Sequence, residues 1–262
     1  MLKLLIRKQI LEIFKSYFYN AKKNKSRSAV STTCFIILFV FLTVGVLGGI
    51  FAGLSVALCE PLIAVDMGWM FYLIMAMCAV FLGAFGSIFN TYSGLYLAKD
   101  NDLLLSLPIP VKTIIASRLV TVYLMGTMYA AVVFIPAVIV YLLTEGPSLG
   151  VVLGAVLLLM LISAIVLILS CLLGFVVAKI SLKLKHKSFF VVMISLIFIG
   201  AYYYFCVRAK NIFVYFMTHA AVYGAKVKGS AYILYLFGRV GEGDPVAALL
   251  GVFAVGICLG LT

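Results

Sequence analysis

The sequence predicts an all-α polytopic membrane protein, and three observations carry that expectation. Of 262 residues, 66% are hydrophobic and 11% charged, with a mean hydropathy of +1.26. An ordinary globular domain is about half apolar and about a quarter charged, so too little polar surface is present to cover a soluble sphere. The apolar residues fall in runs of the length a helix needs to cross a bilayer core, about 20 residues. Basic residues collect in alternate connecting segments, the pattern of a chain threaded back and forth through a membrane. A soluble domain, a disordered chain and a disulfide-stapled secreted module are all excluded.

Residues 1–29 form the first unit, expected to be a cytoplasmic amphipathic helix. Leu2, Ile6, Ile10, Ile13 and Tyr17 recur at helical spacing, while Lys8, Lys15 and Lys22 repeat every seven residues on another face. Such a helix can lie in the headgroup layer with its lysines toward anionic lipid. The same pattern also suits a helix packed on protein with a solvated basic face. Residues 30–262 form the transmembrane domain. Its six expected spans run over about 30–58, 69–97, 119–143, 149–178, 189–207 and 245–262, the last still apolar at Thr262.

Orientation follows from the connections. The N-terminal segment and the loops after spans two and four hold fifteen Lys and Arg; the other side holds five, all between Arg208 and Arg239. That bias puts the N-terminus in the cytoplasm and makes the chain a multi-pass protein of the cytoplasmic membrane. It also accounts for the net charge of +12 without a nucleic-acid partner. Between spans five and six, two short helices are expected on the outer side, re-entrant or interfacial. Gly224 is placed to end the first, Ser230 to cap the second, and Gly238 to close it.

Within the spans, Gly45, Gly49 and Gly53 share one face of span one, where small residues let helices approach closely. Pro136 removes a backbone donor from span three and is expected to kink it. Ser87, Asn90, Thr91, Tyr92 and Ser93 give span two a polar end, suited to packing against neighbours or to lining a path. The six cysteines lie in or at the ends of apolar runs with no Cys-x-x-Cys, so they read as small packing residues.

Little catalytic chemistry is in prospect. There is no Gly-x-x-x-x-Gly-Lys-Ser/Thr, no His/Cys cluster, and no charged residue deep within the expected spans. No cofactor, catalytic residue or metal ligand is assigned. The chain is not expected to be an enzyme by itself.

The segment from Lys99 to Arg118 stands apart. Asp100, Asn101 or Asp102 can cap a helix start; Leu103, Leu104, Leu105 and Leu107 make a short leucine-rich turn; Pro108 stops it. Pro110 can then open a second helix that climbs through Lys112 and Arg118 into span three. Exposed leucines at a membrane face need a partner surface. The run Asp102-Leu-Leu-Leu-Ser-Leu-Pro-Ile109, with Lys112, Ser117 and Arg118, resembles the loop between spans two and three of ABC-2-type ABC transporter permeases. The amphipathic N-terminus, six spans and short outer helices fit the same layout. The resemblance implies a transmembrane permease subunit, an exporter in direction, driven by ATP hydrolysed in a separate ATP-binding subunit. It also implies a second permease copy or half, and makes Asp100 to Lys112 the contact that couples to the ATPase. Permeases with this loop are often longer, so the chain can be the N-terminal part of one. An integral membrane enzyme of lipid metabolism, and a membrane scaffold or assembly factor, are the competing readings.

Overall fold

The computed structural model describes residues 4–9, 11, 19–20, 25–26, 29–96, 106, 109–183, 215 and 219–261. Helix α1 covers residues 4–9. Two-residue strands β1 (Tyr19–Asn20) and β2 (Lys25–Ser26) then pair antiparallel, Tyr19 opposite Ser26 and Asn20 opposite Lys25. The expected helix over 1–29 is therefore corrected. Residues 18–27 carry no apolar stripe and hold Asn20 and Asn24, residues that favour turns, and the chain folds back on itself there. Lys15 and Lys22 lie outside the described residues.

The first long apolar element joins α2 (Ala29–Val40), a π-helical stretch Phe41–Leu47 and α3 (Gly48–Ile63) into one rod. Within the π-helical stretch, the Thr43 hydroxyl donates to the Phe39 carbonyl at 2.7 Å, the side-chain-to-backbone competition that loosens a helix. The rod ends five residues beyond the expected boundary because the chain stays helical through Pro61, and Ala64–Asp66 make the turn.

Helix α4 (Gly68–Thr91) continues as a π-helical turn Tyr92–Tyr96. Helix α5 (Val111–Glu145) and helix α6 (Leu149–Lys183) are 35 residues each, far longer than the bilayer core requires. Helix α5 runs on through Pro136 and is closed by Gly146, whose φ of 96° suits a residue without a Cβ. Helices α7 (Ala220–Ser230), α8 (Tyr232–Gly241) and α9 (Pro245–Leu261) complete the described chain.

Four helices, Ile36–Ile63, Gly68–Ile88, Val111–Glu145 and Leu149–Lys179, are long and apolar enough to cross a membrane. The chain is by this measure a multi-pass all-α membrane protein. The expected fifth span, 189–207, lies outside the described residues, and α9 reaches 17 residues. Helices α4, α5 and α6 form the core. Phe71, Tyr72, Met75 and Ala79 of α4 are buried against Val133, Phe134 and Ala137 of α5 and Leu158, Ile162 and Val166 of α6. Val166 fills a hole between two glycines. A Cβ on either Gly83 or Gly126 would come within 2.8 Å of its methyl groups. The first rod is peripheral: most of its apolar surface is exposed, while Ser55, Leu58, Cys59 and Leu62 toward its end are buried.

Gly45, Gly49 and Gly53 of that rod face no other helix among the described residues. Gly49 and Gly53 meet no other atom within contact distance, and Gly45 touches the ring of its own neighbour Phe41. Among the described residues this stripe packs on nothing. Gly48, on another face, is the buried glycine and approaches Pro136.

Two other glycines change role. Gly224 lies inside α7 against Met67 and Trp69, and Gly238 lies inside α8 against the Trp69 carbonyl. Neither ends a helix; each lets an outer helix sit close on the start of α4. Ser230 is the last residue of α7, so Ala231 stands at the N-cap of α8 and contributes no side-chain bond. Glycine is equally suited to helix ends and to close contacts, and only packing separates the two.

Candidate functional site

The functional candidate is the end of the bundle that carries α1, where the Lys99–Arg118 segment enters α5. Of the coupling residues expected there, Asp100, Asp102, Leu103, Leu104, Leu105, Leu107 and Pro108 lie outside the described residues. Pro110 and Lys112 are described. Pro110 is the N-cap of α5 with φ −58° and ψ 129°, an extended conformation natural to proline, and its carbonyl accepts from the Thr113 N–H at 2.9 Å. The second helix therefore starts where the two prolines predict, at Val111, with Lys112 exposed on its first turn.

The foot of α5 has two faces. Val111, Lys112 and Ile115 are exposed, while Ile114, Ser117, Arg118, Thr121 and Val122 are buried at helical spacing. Helix α1 covers part of the buried face. Leu5 packs with Ile114 and the half-buried Ile109. One turn further along, Gln9 Nε2 donates to Ser117 Oγ at 3.2 Å, and the Thr121 hydroxyl donates to Gln9 Oε1 at 2.9 Å. Ser117 gives its own proton to the Ile114 carbonyl at 2.8 Å, and the single Thr121 proton is shared between Gln9 Oε1 and the Ser117 carbonyl, each at 2.9 Å. Leu5 and Gln9 are four residues apart and thus share one face of α1.

Within the described residues, α1 thus has a neighbour in the chain itself. It packs on the chain itself through Leu5 and Gln9, a face that the Leu2–Ile6–Ile10 stripe did not point to. Arg7 and Lys8 are exposed beside it. The sequence signal for the partner surface was Ser117 and Thr121, two hydroxyls four residues apart on one face of α5.

A second polar layer lies higher in the bundle. Ser87 and Ser170 are buried, and their hydroxyls meet at 2.5 Å across α4 and α6. Ser87 also bonds the Gly83 carbonyl, and Thr91 bonds the Ser87 carbonyl. The polar end of α4 is at these positions a packing device.

The opposite end gathers the described acids, Glu60, Asp66, Glu145, Glu242 and Asp244, at the helix ends and turns. Arg239 clasps two of them, bonding Asp244 Oδ2 at 2.7 Å and Glu242 Oε2 at 3.1 Å. The guanidinium bond pulls the Asp244 carboxyl below the usual range, while burial raises Glu242 despite Arg239. Asp244 Oδ1 accepts the Val246 N–H at 3.1 Å and so caps α9, with Pro245 in its first position. Nearby, Tyr141 donates to Glu145 at 3.0 Å. The Tyr72 hydroxyl is sealed in the core with no partner among the described residues. No group of three or more His, Cys, Asp or Glu suited to a metal occurs among the described residues.

Compared with family models, curated proteins and solved structures, the chain matches none.

Proposed function

We propose that this chain is a transmembrane permease subunit of an ABC-2-type ABC transporter, exporting its substrate with ATP hydrolysed by a separate subunit. The observation that carries the reading is the segment Asp102-Leu-Leu-Leu-Ser-Leu-Pro-Ile109, delivered to the end of a membrane-length helix by an extended Pro110. A leucine-rich sequence placed directly before a long span suits force transmission. Motion of the leucines would be passed to Val111 and along α5, whose Gly126 is wedged by Val166 of α6. The chain has no P-loop, so in this reading energy enters from a partner at that surface. The positive bias of the same end supports a cytoplasmic N-terminus in the cytoplasmic membrane, and a second copy or half would complete the pathway.

Buried leucines are worth roughly 1.5–3 kcal/mol each at a contact. Replacing Leu104 and Leu105 by Ser, or Asp102 by Lys, should leave membrane insertion intact and abolish co-purification of an ATPase. If association survives the losses, ATP hydrolysis should no longer respond to substrate. Retention of both at wild-type levels would remove the main support for the reading.

A further inference from the structure

Helix α8 is a short unit set between two breaks in the chain. Ala231 leaves helical geometry before it, with φ −134° and ψ 58°, and Gly243 turns after it with φ 83°. Its seat on the bundle is made at backbone level. Gly238 lies on the Trp69 carbonyl and Gly241 on the Tyr72 ring of α4, while the Val240 carbonyl meets Gly154 of α6 and Gly243 meets the Gly150 backbone. Contacts this close leave no side chain to adjust between the helices, so α8 is seated or displaced as a body.

One carboxylate locks the seat. Glu242 accepts the Trp69 N–H, one of the first-turn amides that α4 leaves unpaired within itself, and Arg239 holds its Oε2 at 3.1 Å. The fit is close: a Cβ on Gly68 would come within 2.7 Å of Glu242 Oε1 and 3.0 Å of the Tyr141 hydroxyl. The charges around it do not balance. Arg239 gives two bonds to Asp244 and one to Glu242. Tyr141 gives its proton to Glu145, and that carboxylate also acts on Glu242. Helix α5 thus brings Tyr141 and Glu145, α4 brings Tyr72 and the Trp69 amide, and α8 with its following turn brings Arg239 and Asp244. Lys228 of α7 stands over the Tyr235 ring, 5.2 Å from its centroid. Helix α6 has no charged residue before Lys179, and α9 has none. Among the described residues, three carboxylates therefore gather around one guanidinium, and the Glu242 side chain is only 18% exposed.

Releasing α8 carries Arg239, Glu242 and Asp244 away together, so what Glu242 escapes is burial and the charge of Glu145. Protonating it in place removes both penalties, while its carbonyl oxygen can still accept the Trp69 N–H. Burial outweighs Arg239 and raises its titration above the ordinary glutamate range. A group that holds its proton more tightly when seated ties seating to pH: the stabilisation is full in acid and fades as pH rises through the seated value. We propose that α8 is a proton-responsive clamp on the start of α4, seated when Glu242 is protonated and loosened when Glu242 ionises. The device does not rest on the proposed function and holds for either orientation in the membrane.

The single tryptophan of the chain reports on the seat. Trp69 is buried, with the Tyr235 ring edge-on at 5.0 Å and Gly224 of α7 beside it. In the full chain, purified in mild detergent, acrylamide quenching of Trp69 should be low in acid and rise at least about two-fold along one titration between about pH 4 and about pH 8. Glu242→Gln, neutral throughout and still able to accept the Trp69 N–H, should stay protected at every pH. Glu145→Gln keeps Glu242 and guards against misfolding of the first variant; it removes a neighbouring negative charge and should move the midpoint toward acid. Flat quenching in the wild type would overturn the proposal. So would a wild-type pH profile in Glu242→Gln, or a Glu145→Gln midpoint that stays in place or moves toward neutral pH.

Discussion

Asp244 does two jobs with one carboxylate. Its Oδ1 caps α9 and its Oδ2 holds Arg239, so removing it differs from neutralising it. Asp244→Ala should cost about 1 kcal/mol through the cap alone. Asp244→Asn keeps a capping oxygen and loses only the charge, on a partly exposed pair of modest worth. The sign with pH follows from its lowered folded-state value. Its charge stabilises above the ordinary carboxylate range and ceases to do so as pH falls through the folded value. Glu242, raised by burial, works the other way: its protonated form is favoured, and that contribution fades as pH rises through its folded value. Thermal melts of wild type and Asp244→Asn should therefore differ at neutral pH and converge only as pH falls through the lowered folded value of Asp244, below the ordinary aspartate range. A difference that grows on acidification would contradict the assignment.

At the scale of elements, glycine sets the distances between helices. Val166 sits between Gly83 and Gly126, so one methyl on either glycine must displace it or push the helices apart. Gly126→Ala should destabilise by roughly 1–3 kcal/mol, the usual cost of overpacking. Val166→Ala should relieve part of that cost, and a double-mutant cycle that came out additive would show the three helices do not share this contact. The attachment of α1 is weaker, resting on Leu5 and one amide. Leu5→Ala with Gln9→Ala should release α1 while the bundle persists, seen as faster proteolysis near residue 9 at an unchanged global melting temperature. A lowered melting temperature with unchanged cleavage would mean that α1 is part of the core rather than docked on it.

Over the whole molecule, charge is polarised along the helix axes. The end bearing α1 carries Arg7, Lys8, Lys112, Arg118 and Lys179, and the opposite end carries the described acids with Arg239 between two of them and Lys226 and Lys228 nearby. In a membrane this places Asp66 and Ser148 on one side and Lys112 on the other. In a cysteine-free background, single cysteines at Asp66 and Ser148 should share one labelling pattern with an impermeant thiol reagent, and a cysteine at Lys112 should show the opposite one. Reaction of Asp66 and Lys112 from the same side would refute the antiparallel arrangement of the first rod, α4 and α5.

Much of this was legible in the residues alone. Four apolar stretches became four membrane-length helices because hydrocarbon leaves a backbone no partner but itself. Pro110 announced the start of α5, since its ring sets φ and removes a donor. Tertiary structure decided what local pattern leaves degenerate. A Gly-x-x-x-Gly stripe is the same string whether or not a helix faces it, and Gly49 and Gly53 face none among the described residues, while the isolated Gly83 and Gly126 are wedged against Val166. The same holds for the N-terminus. Periodicity could say that a helix has an apolar face; only the fold could say that Leu5 and Gln9 meet Ile114, Ser117 and Thr121. Such contacts join residues more than a hundred positions apart, and their energy depends on distance in space, which sequence spacing does not encode.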